Sequence, residues 1–126
     1  MSGVKYLLDT NFILGILKYD ETVLAGLSSR RIRAGECEYS AITRMELLGF
    51  QRITQDEELL IKQKLEHFSY LPLTKDIEDS VIELRQSRKI KLPDEIIAAT
   101  ALCLGIEIFT LDQHLLAIVR SGISAK

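Results

Sequence analysis

The sequence contains no tryptophan, only two cysteines and two prolines, and no apolar stretch near the ~18 residues that a membrane span needs. Neither Cys37 nor Cys103 has a cysteine or histidine neighbour at metal-ligand spacing, which argues against a zinc site or a disulfide framework. Both lie in apolar surroundings, so we expect two buried thiols. The two histidines, His67 and His114, are isolated, and we assign no chemistry to them.

A strong charge of one sign is also missing, because 16 basic and 18 acidic residues give a net charge of −2. This balance argues against a protein that is held on nucleic acid by bulk electrostatics, so any such contact must be local. The first residues, MSGVKY, lack the apolar core of a secretory signal. We therefore expect a cytoplasmic protein with no membrane partner.

Short apolar runs alternate with amphipathic segments along all 126 residues. The predicted strands cover residues 6–8, 36–41, 70–73 and 107–109. The predicted helices cover residues 11–18, 21–31, 43–50, 56–68, 76–88, 93–104 and 113–119. This alternation predicts parallel βαβ units and hence an α/β fold. No repeat or Gly- and Pro-rich linker marks a boundary, so we expect a single domain over residues 1–126.

Two acidic residues follow predicted strands closely. In KYLLDTNFIL, Asp9 comes directly after a buried-type strand, and in IEIFTLDQHLL, Asp112 comes three residues after one. Ligands of parallel α/β sheets bind beyond the carboxyl ends of the strands, which is where both acids are expected. Aspartate is also a common helix N-cap, and this second interpretation stays open for each residue.

A third acid, Glu46, stands in the segment TRMELLGF. Ile42 lies four residues before it and Phe50 four residues after it, so a helix would place Glu46 on an apolar face. A glutamate that points inward needs a partner or a function. An ion pair with Arg44 or Arg52 at the rim of the protein is the alternative interpretation.

A fourth acid, Asp94, lies in KLPDEIIAATALCLG, in the first turn of a helix that is apolar nearly all round. Complementing the helix dipole would explain it, and the same explanation applies to Glu95. If the four acids share one pocket, however, they repel one another unless their pKa values rise or a cation neutralises them. Oxygen ligands without His or Cys favour Mg²⁺ or Mn²⁺ over zinc. A site of this kind is typical of metal-dependent nucleases.

At these residues the sequence resembles the PIN-domain family, and most closely its small VapC-type toxins of toxin–antitoxin pairs. The matching segments are LLDTN (7–11), TRMELLGF (43–50), PDEIIAATAL (93–102) and TLD (110–112). They occur in the family's order and extend over nearly the whole chain. The family often has an aromatic residue three positions after the last acid, where this chain has Leu115.

The resemblance implies a Rossmann-like PIN fold, with a short, mostly parallel sheet flanked by helices. It further implies an endoribonuclease that hydrolyses RNA with Mg²⁺ or Mn²⁺, often as a homodimer, and that is inhibited by a cognate antitoxin. The implied catalytic acids are Asp9, Glu46, Asp94 and Asp112, of which Asp9, Asp94 and Asp112 hold metal, with Thr10, Asn11 and Thr110 in support.

Other functions remain compatible with the residues. One is a PIN-domain nuclease that processes RNA outside any toxin–antitoxin pair. Another is a phosphoacceptor domain, although that would need a lysine near the acids, and none follows a late strand. A third is a metal-binding module without nuclease activity.

Surplus apolar helix surface and clustered basic residues are the features that suggest partners. Helices 21–31, 56–68 and 76–88 offer more apolar surface than one side of a small sheet can cover, which favours a homodimer. An acidic pocket would also accept an arginine from an inhibitory partner. The basic clusters at 30–33 and 85–91 have two interpretations: they guide a phosphate backbone, or they are solvated helix ends.

Overall fold

The computed structural model describes residues 3–124, and the side chains of residues 3–121. Four parallel strands form one sheet in the order β3 (Ser69–Leu71), β2 (Cys37–Ser40), β1 (Tyr6–Leu8), β4 (Glu107–Phe109). The first strand therefore lies inside the sheet and the last at its edge, next to it. The predicted α/β fold with a parallel sheet is confirmed.

Within the described residues, seven α-helices connect and flank these strands. They are α1 (Thr10–Leu17), α2 (Glu21–Ser29), α3 (Ala41–Leu48), α4 (Gln55–Leu65), α5 (Lys75–Ser87), α6 (Leu92–Leu104) and α7 (Gln113–Ser124). Each corresponds to a predicted helix, with ends that differ by up to five residues, and a short 3₁₀ helix, Ala34–Glu36, was not predicted. None of the helices in the described part of the chain is long and apolar enough to cross a membrane.

The first five helices share one way of beginning. A side chain of the residue before each helix accepts a hydrogen bond from a backbone N–H of its first turn, which satisfies an otherwise unpaired donor. The capping residues are Asp9, Asp20, Ser40, Thr54 and Thr74. Helix α6 differs, because Lys91 precedes it and makes no such side-chain bond.

The core lies on both faces of the sheet. Leu7 and Leu8 are each fully buried, although consecutive strand residues point to opposite faces. Leu8 packs with Phe12 on the face that carries α1, whereas Leu7 packs with Ile97 on the face that carries α6. This two-sided burial explains why the first strand is continuously apolar rather than alternating.

The two cysteines differ in burial. Cys37 in β2 is buried, and desolvation raises the pKa of its thiol to about 11. Cys103 is exposed, so the prediction that both thiols are buried was wrong for this residue. Cys103 falls after the fully enclosed part of α6, which ends at Ala101, and its side of the helix faces solvent.

Burial of a carboxylate in β2 leads to a stability prediction. Glu38 is buried, and desolvation raises the pKa of its carboxyl group. Between the ordinary and the raised pKa the folded state binds more protons than the unfolded state, so the free energy of unfolding falls as pH rises. We expect Glu38→Gln to raise the melting temperature at pH 7, with the gain disappearing near the ordinary glutamate pKa of about 4.

Glu36 provides the control, because its pKa is shifted in the opposite direction to that of Glu38. The pKa of Glu36 is lowered, because its carboxylate accepts from the backbone N–H of Arg33 and pairs with Lys5. This contribution to stability is present at neutral pH and is lost as pH falls through the lowered pKa. Glu36→Gln should therefore lower the melting temperature at pH 7. Thermal unfolding of both variants across pH tests the pair, and a lower melting temperature for Glu38→Gln at pH 7 would contradict the prediction.

Candidate active site

Asp9 lies at the carboxyl end of β1, beside the end of β4. Its backbone N–H donates to the carbonyl of Phe109, which continues the pairing of the two strands by one residue. Its side chain is 7% exposed and accepts two hydrogen bonds of 2.8 Å, from the Thr10 backbone N–H and from the Thr110 hydroxyl. Asp9 is therefore both the N-cap of α1 and a carboxylate with a fixed orientation.

Glu46 reaches the same end of the sheet from α3. The Thr10 hydroxyl lies 2.7 Å from the Glu46 carboxylate and 3.0 Å from the Thr43 hydroxyl. Since a carboxylate can only accept, Thr10 donates its one hydrogen to Glu46 and accepts from Thr43. These bonds connect α3 to the first turn of α1, next to Asp9.

The expected inward orientation of Glu46 was wrong, because its side chain is exposed. The buried residues of α3 are Thr43 and Leu47, so the helix presents a different side to the core than the spacing from Ile42 to Phe50 indicated. The alternative interpretation, an ion pair with Arg44 or Arg52, does not occur within the described residues either: none of the ion pairs found there includes Glu46.

Two of the other acids, Asp94 and Glu46, act on Asp9. The pKa of Asp9 is raised, first by burial and then by repulsion from Asp94 and Glu46, while the hydrogen bonds from Thr110 and Thr10 oppose the rise. Asp94 lies in the first turn of α6 and is partly buried. Asp9, Glu46 and Asp94 therefore share one electrostatic environment at the carboxyl end of β1.

Asp112 is connected to Asp9 through Thr110. The Thr110 hydroxyl donates to Asp9 and accepts from the backbone N–H of Asp112 at 3.0 Å. The Asp112 carboxylate accepts from the N–H groups of His114 and Leu115 and so caps the start of α7. Its side chain is exposed. The cap interpretation is thus correct for Asp112 as well as for Asp9, and it does not remove either residue from the site.

The donor chemistry of these acids suits a hard cation, since every candidate ligand atom is a carboxylate or hydroxyl oxygen. The mutual repulsion at Asp9 is what a bound cation would relieve. Within the described part of the chain, however, no three acidic, His or Cys side chains converge closely enough to hold an ion. Metal binding by Asp9, Asp94 and Asp112 stays a prediction.

Asn11 is exposed, contrary to the supporting role expected of it, whereas Thr43 joins the site without having been predicted. Asn11 is exposed on α1 and is not part of the hydrogen-bonded set of Thr10, Thr43 and Glu46. Thr43 is fully buried within that set, and sequence reasoning missed it. Its position three residues before Glu46 on one helix face was the available signal.

A groove opens from this site between α1, α3 and α4. It has a volume of about 460 Å³, with Thr10 and Glu46 in its lining. The other lining residues are largely apolar and include Leu14, Leu17, Phe50 and Leu60. Leu60 is 53% exposed there. The acids therefore adjoin an open apolar surface.

The family model of the PIN domain matches residues 6–120. The chain belongs to the PIN domain family. This match spans all four acids and all four strands of the PIN domain described above. No curated protein sequence matches the chain.

Several solved structures share the fold of this chain. A toxin–antitoxin complex from Klebsiella pneumoniae has a TM-score of 0.74 and 28% identity, covering 89% of this chain and 90% of that one. FitAcB from Neisseria gonorrhoeae has a TM-score of 0.73 and 27% identity, covering 91% and 93%. DNA-bound VapBC from Salmonella typhimurium, at 20% identity and a TM-score of 0.74 over 90% and 91%, shares the fold. The resemblance to VapC-type PIN toxins is confirmed.

Proposed function

We propose that this PIN domain is a Mg²⁺- or Mn²⁺-dependent endoribonuclease and the toxin of a toxin–antitoxin pair. The observation that carries the proposal is the buried Asp9 carboxylate, which Thr10 and Thr110 hold at the strand end where α/β folds bind their ligands, with Asp94 and Glu46 near enough to repel it. A buried carboxylate with a raised pKa costs stability, and such groups are common at functional sites. The likeness to solved toxin–antitoxin complexes supports the biological role.

In this proposal Asp9, Asp94 and Asp112 are the residues that hold the metal. A bound Mg²⁺ or Mn²⁺ supplies a more acidic water and neutralises charge on the phosphodiester. The Thr10 N–H and the Thr110 hydroxyl fix both Asp9 oxygens, which keep further lone pairs free for a ligand. Glu46 is exposed, so its carboxylate is available to orient the attacking water.

The direct test is cleavage of RNA by the purified protein. We expect a single-stranded RNA to be cut in Mg²⁺ or Mn²⁺ and to stay intact in EDTA, while single-stranded DNA serves as the comparison substrate. Because oxygen-only sites select against zinc, Zn²⁺ should not replace Mg²⁺. RNA that stays intact in every metal, or that is cut equally well in EDTA, would contradict the proposal.

An antitoxin would inhibit the site by covering the apolar groove and inserting an arginine between the acids. The groove supports this, because its lining runs from apolar residues such as Leu17 and Leu60 to Glu46. An arginine fork matches a carboxylate bidentately and would displace a cation there. The partner would thus need an apolar segment followed by a basic residue.

A homodimer is also proposed, on the surface formed by α5 and α6. A shallow apolar groove of about 260 Å³ lies there, lined by residues that include Ile82, Leu92 and Leu73. These three side chains are 53%, 49% and 36% exposed. Light scattering after size exclusion should give twice the mass of the chain, whereas a monomer at micromolar concentration would count against the dimer.

A further inference from the structure

The first turn of α6, which carries Asp94, is held differently from the other first turns. Helices α1 to α5 each begin with a side-chain cap, but Lys91 provides none for α6. Uncapped first turns fray, because their N–H groups have no intrahelical partner. Pro93 restricts the backbone of this turn but has no N–H to donate.

An ion pair between α5 and α6 holds the first turn of α6 in place of a side-chain cap. The Arg85 guanidinium of α5 donates to Oε1 of Glu95 at 2.8 Å, one residue after Asp94. The Glu95 residue is fully buried, whereas 52% of the Arg85 side chain is exposed. The other oxygen of Glu95 is buried and has no hydrogen-bond partner among the described residues. Among the described residues, the hydrogen bond to this carboxylate therefore comes from Arg85.

Burial of Glu95 is costly, and stability alone does not account for it. A buried ion pair can often be replaced by well-packed apolar residues without loss of stability. The neighbouring contacts between α5 and α6 are apolar, with Ile77 and Val81 packed against Ile96 and Ala99. An apolar residue at position 95 would suit these surroundings better than a carboxylate with one free oxygen. The ion pair restricts the orientation of α6 on α5, because a hydrogen bond depends on angle whereas apolar contact hardly does.

We propose that Arg85 and Glu95 are positioning residues of the acidic site. Their ion pair fixes the first turn of α6 on α5, so that the Asp94 carboxylate stays beside Asp9 as a ligand for a divalent cation. This inference rests on the proposed metal-dependent function. It assigns a role to a buried acid and an arginine that do not belong to the four acids.

The test uses Mn²⁺ binding to the purified protein, with Arg85→Met as the first variant. Removing a positive charge near the acids would by itself tighten the binding of a cation. Loss of positioning has the opposite effect, and removal of comparable supporting partners weakens metal binding about tenfold or more. We therefore expect the Mn²⁺ dissociation constant to rise about tenfold, and amide hydrogen exchange at the start of α6 to accelerate.

A second variant is needed because Arg85→Met alone leaves a buried, unpaired carboxylate, which could unfold the protein. Arg85→Met combined with Glu95→Gln removes that charge and keeps the net charge of the parent. It should bind Mn²⁺ about tenfold more weakly, as Arg85→Met does. Arg85→Lys keeps the positive charge and should recover part of the affinity.

Arg30→Met is the matched control. Arg30 forms an ion pair with Glu107, at the end of β4 away from Asp9. This variant should bind Mn²⁺ as the parent does, even if it is less stable. Equal or tighter Mn²⁺ binding by Arg85→Met, or parental affinity in the double variant, would overturn the positioning role. If the parent binds no Mn²⁺, the proposed metal-dependent function fails first, and the positioning role fails with it.

Discussion

Asp9→Asn should reduce RNA cleavage by about 100-fold or more and at the same time make the protein more stable. Activity falls because an amide is a poor ligand for a divalent cation and carries no negative charge. Stability rises because burial and the neighbouring acids raise the pKa of Asp9, so its ionised form costs free energy in the folded state. Asparagine can still accept from the Thr10 N–H, so the cap of α1 remains.

The stability gain should depend on pH in a definite direction. Between the ordinary and the raised pKa of Asp9 the parent loses unfolding free energy as pH rises, whereas the asparagine variant does not. The difference in melting temperature is therefore expected at pH 7 and should shrink near the ordinary aspartate pKa of about 4.

Asp20→Asn is the control for Asp9→Asn. Asp20 also caps a helix, since its carboxylate accepts from the Val23 N–H at the start of α2, but it lies outside the acidic site. This variant should keep full nuclease activity. If Asp9→Asn cleaves RNA as well as the parent, the catalytic assignment is wrong. A parallel loss of activity and melting temperature in Asp9→Asn would instead indicate a structural role for Asp9.

Leu60→Asp should release the nuclease from its antitoxin without reducing cleavage. Leu60 lines the groove beside Glu46 and is 53% exposed, so a charge there disturbs the partner's apolar segment more than the fold. A central contact of this kind is typically worth about 2 kcal/mol or more, which is about 30-fold in the dissociation constant. The measurement is titration of RNA cleavage with the purified antitoxin.

Leu59 offers a closely matched control for this experiment. It precedes Leu60 on α4 and is 57% exposed, but it does not line the groove. Leu59→Asp should therefore bind the antitoxin as the parent does. Equal weakening by the two substitutions would show that α4 responds to charge in general, and no weakening by Leu60→Asp would place the antitoxin on another surface.

The sequence was sufficient to predict the architecture and the place of two acids. Alternation of apolar runs and amphipathic segments indicated parallel strands, and the register of β1 with β2 and β4 confirms them. Asp9 and Asp112 were expected after strands and lie there, because their positions depend only on the chain leaving a strand. The cap and the site interpretations proved compatible, since a capping carboxylate keeps further lone pairs.

The rotation of a helix about its own axis was the harder property to predict. The spacing around Glu46 suggested an inward side chain, yet α3 buries Thr43 and Leu47 instead. Cys103 is exposed for the same kind of reason. The pairing of Arg85 with Glu95 depends on how α5 docks on α6, and no local pattern in the sequence encodes that geometry.

The position of β4 also bears on when the site is completed during synthesis. The first strand emerges early but must wait for β4, which is far from it in the sequence, since Tyr6 pairs with Glu107. Until then Asp9 has neither the Thr110 hydroxyl nor the Asp112 loop beside it. Because chains fold as they emerge, a partly translated molecule lacks the finished cluster. In the proposed nuclease, the acidic site would therefore stay incomplete until both β4 and Asp112 have left the ribosome.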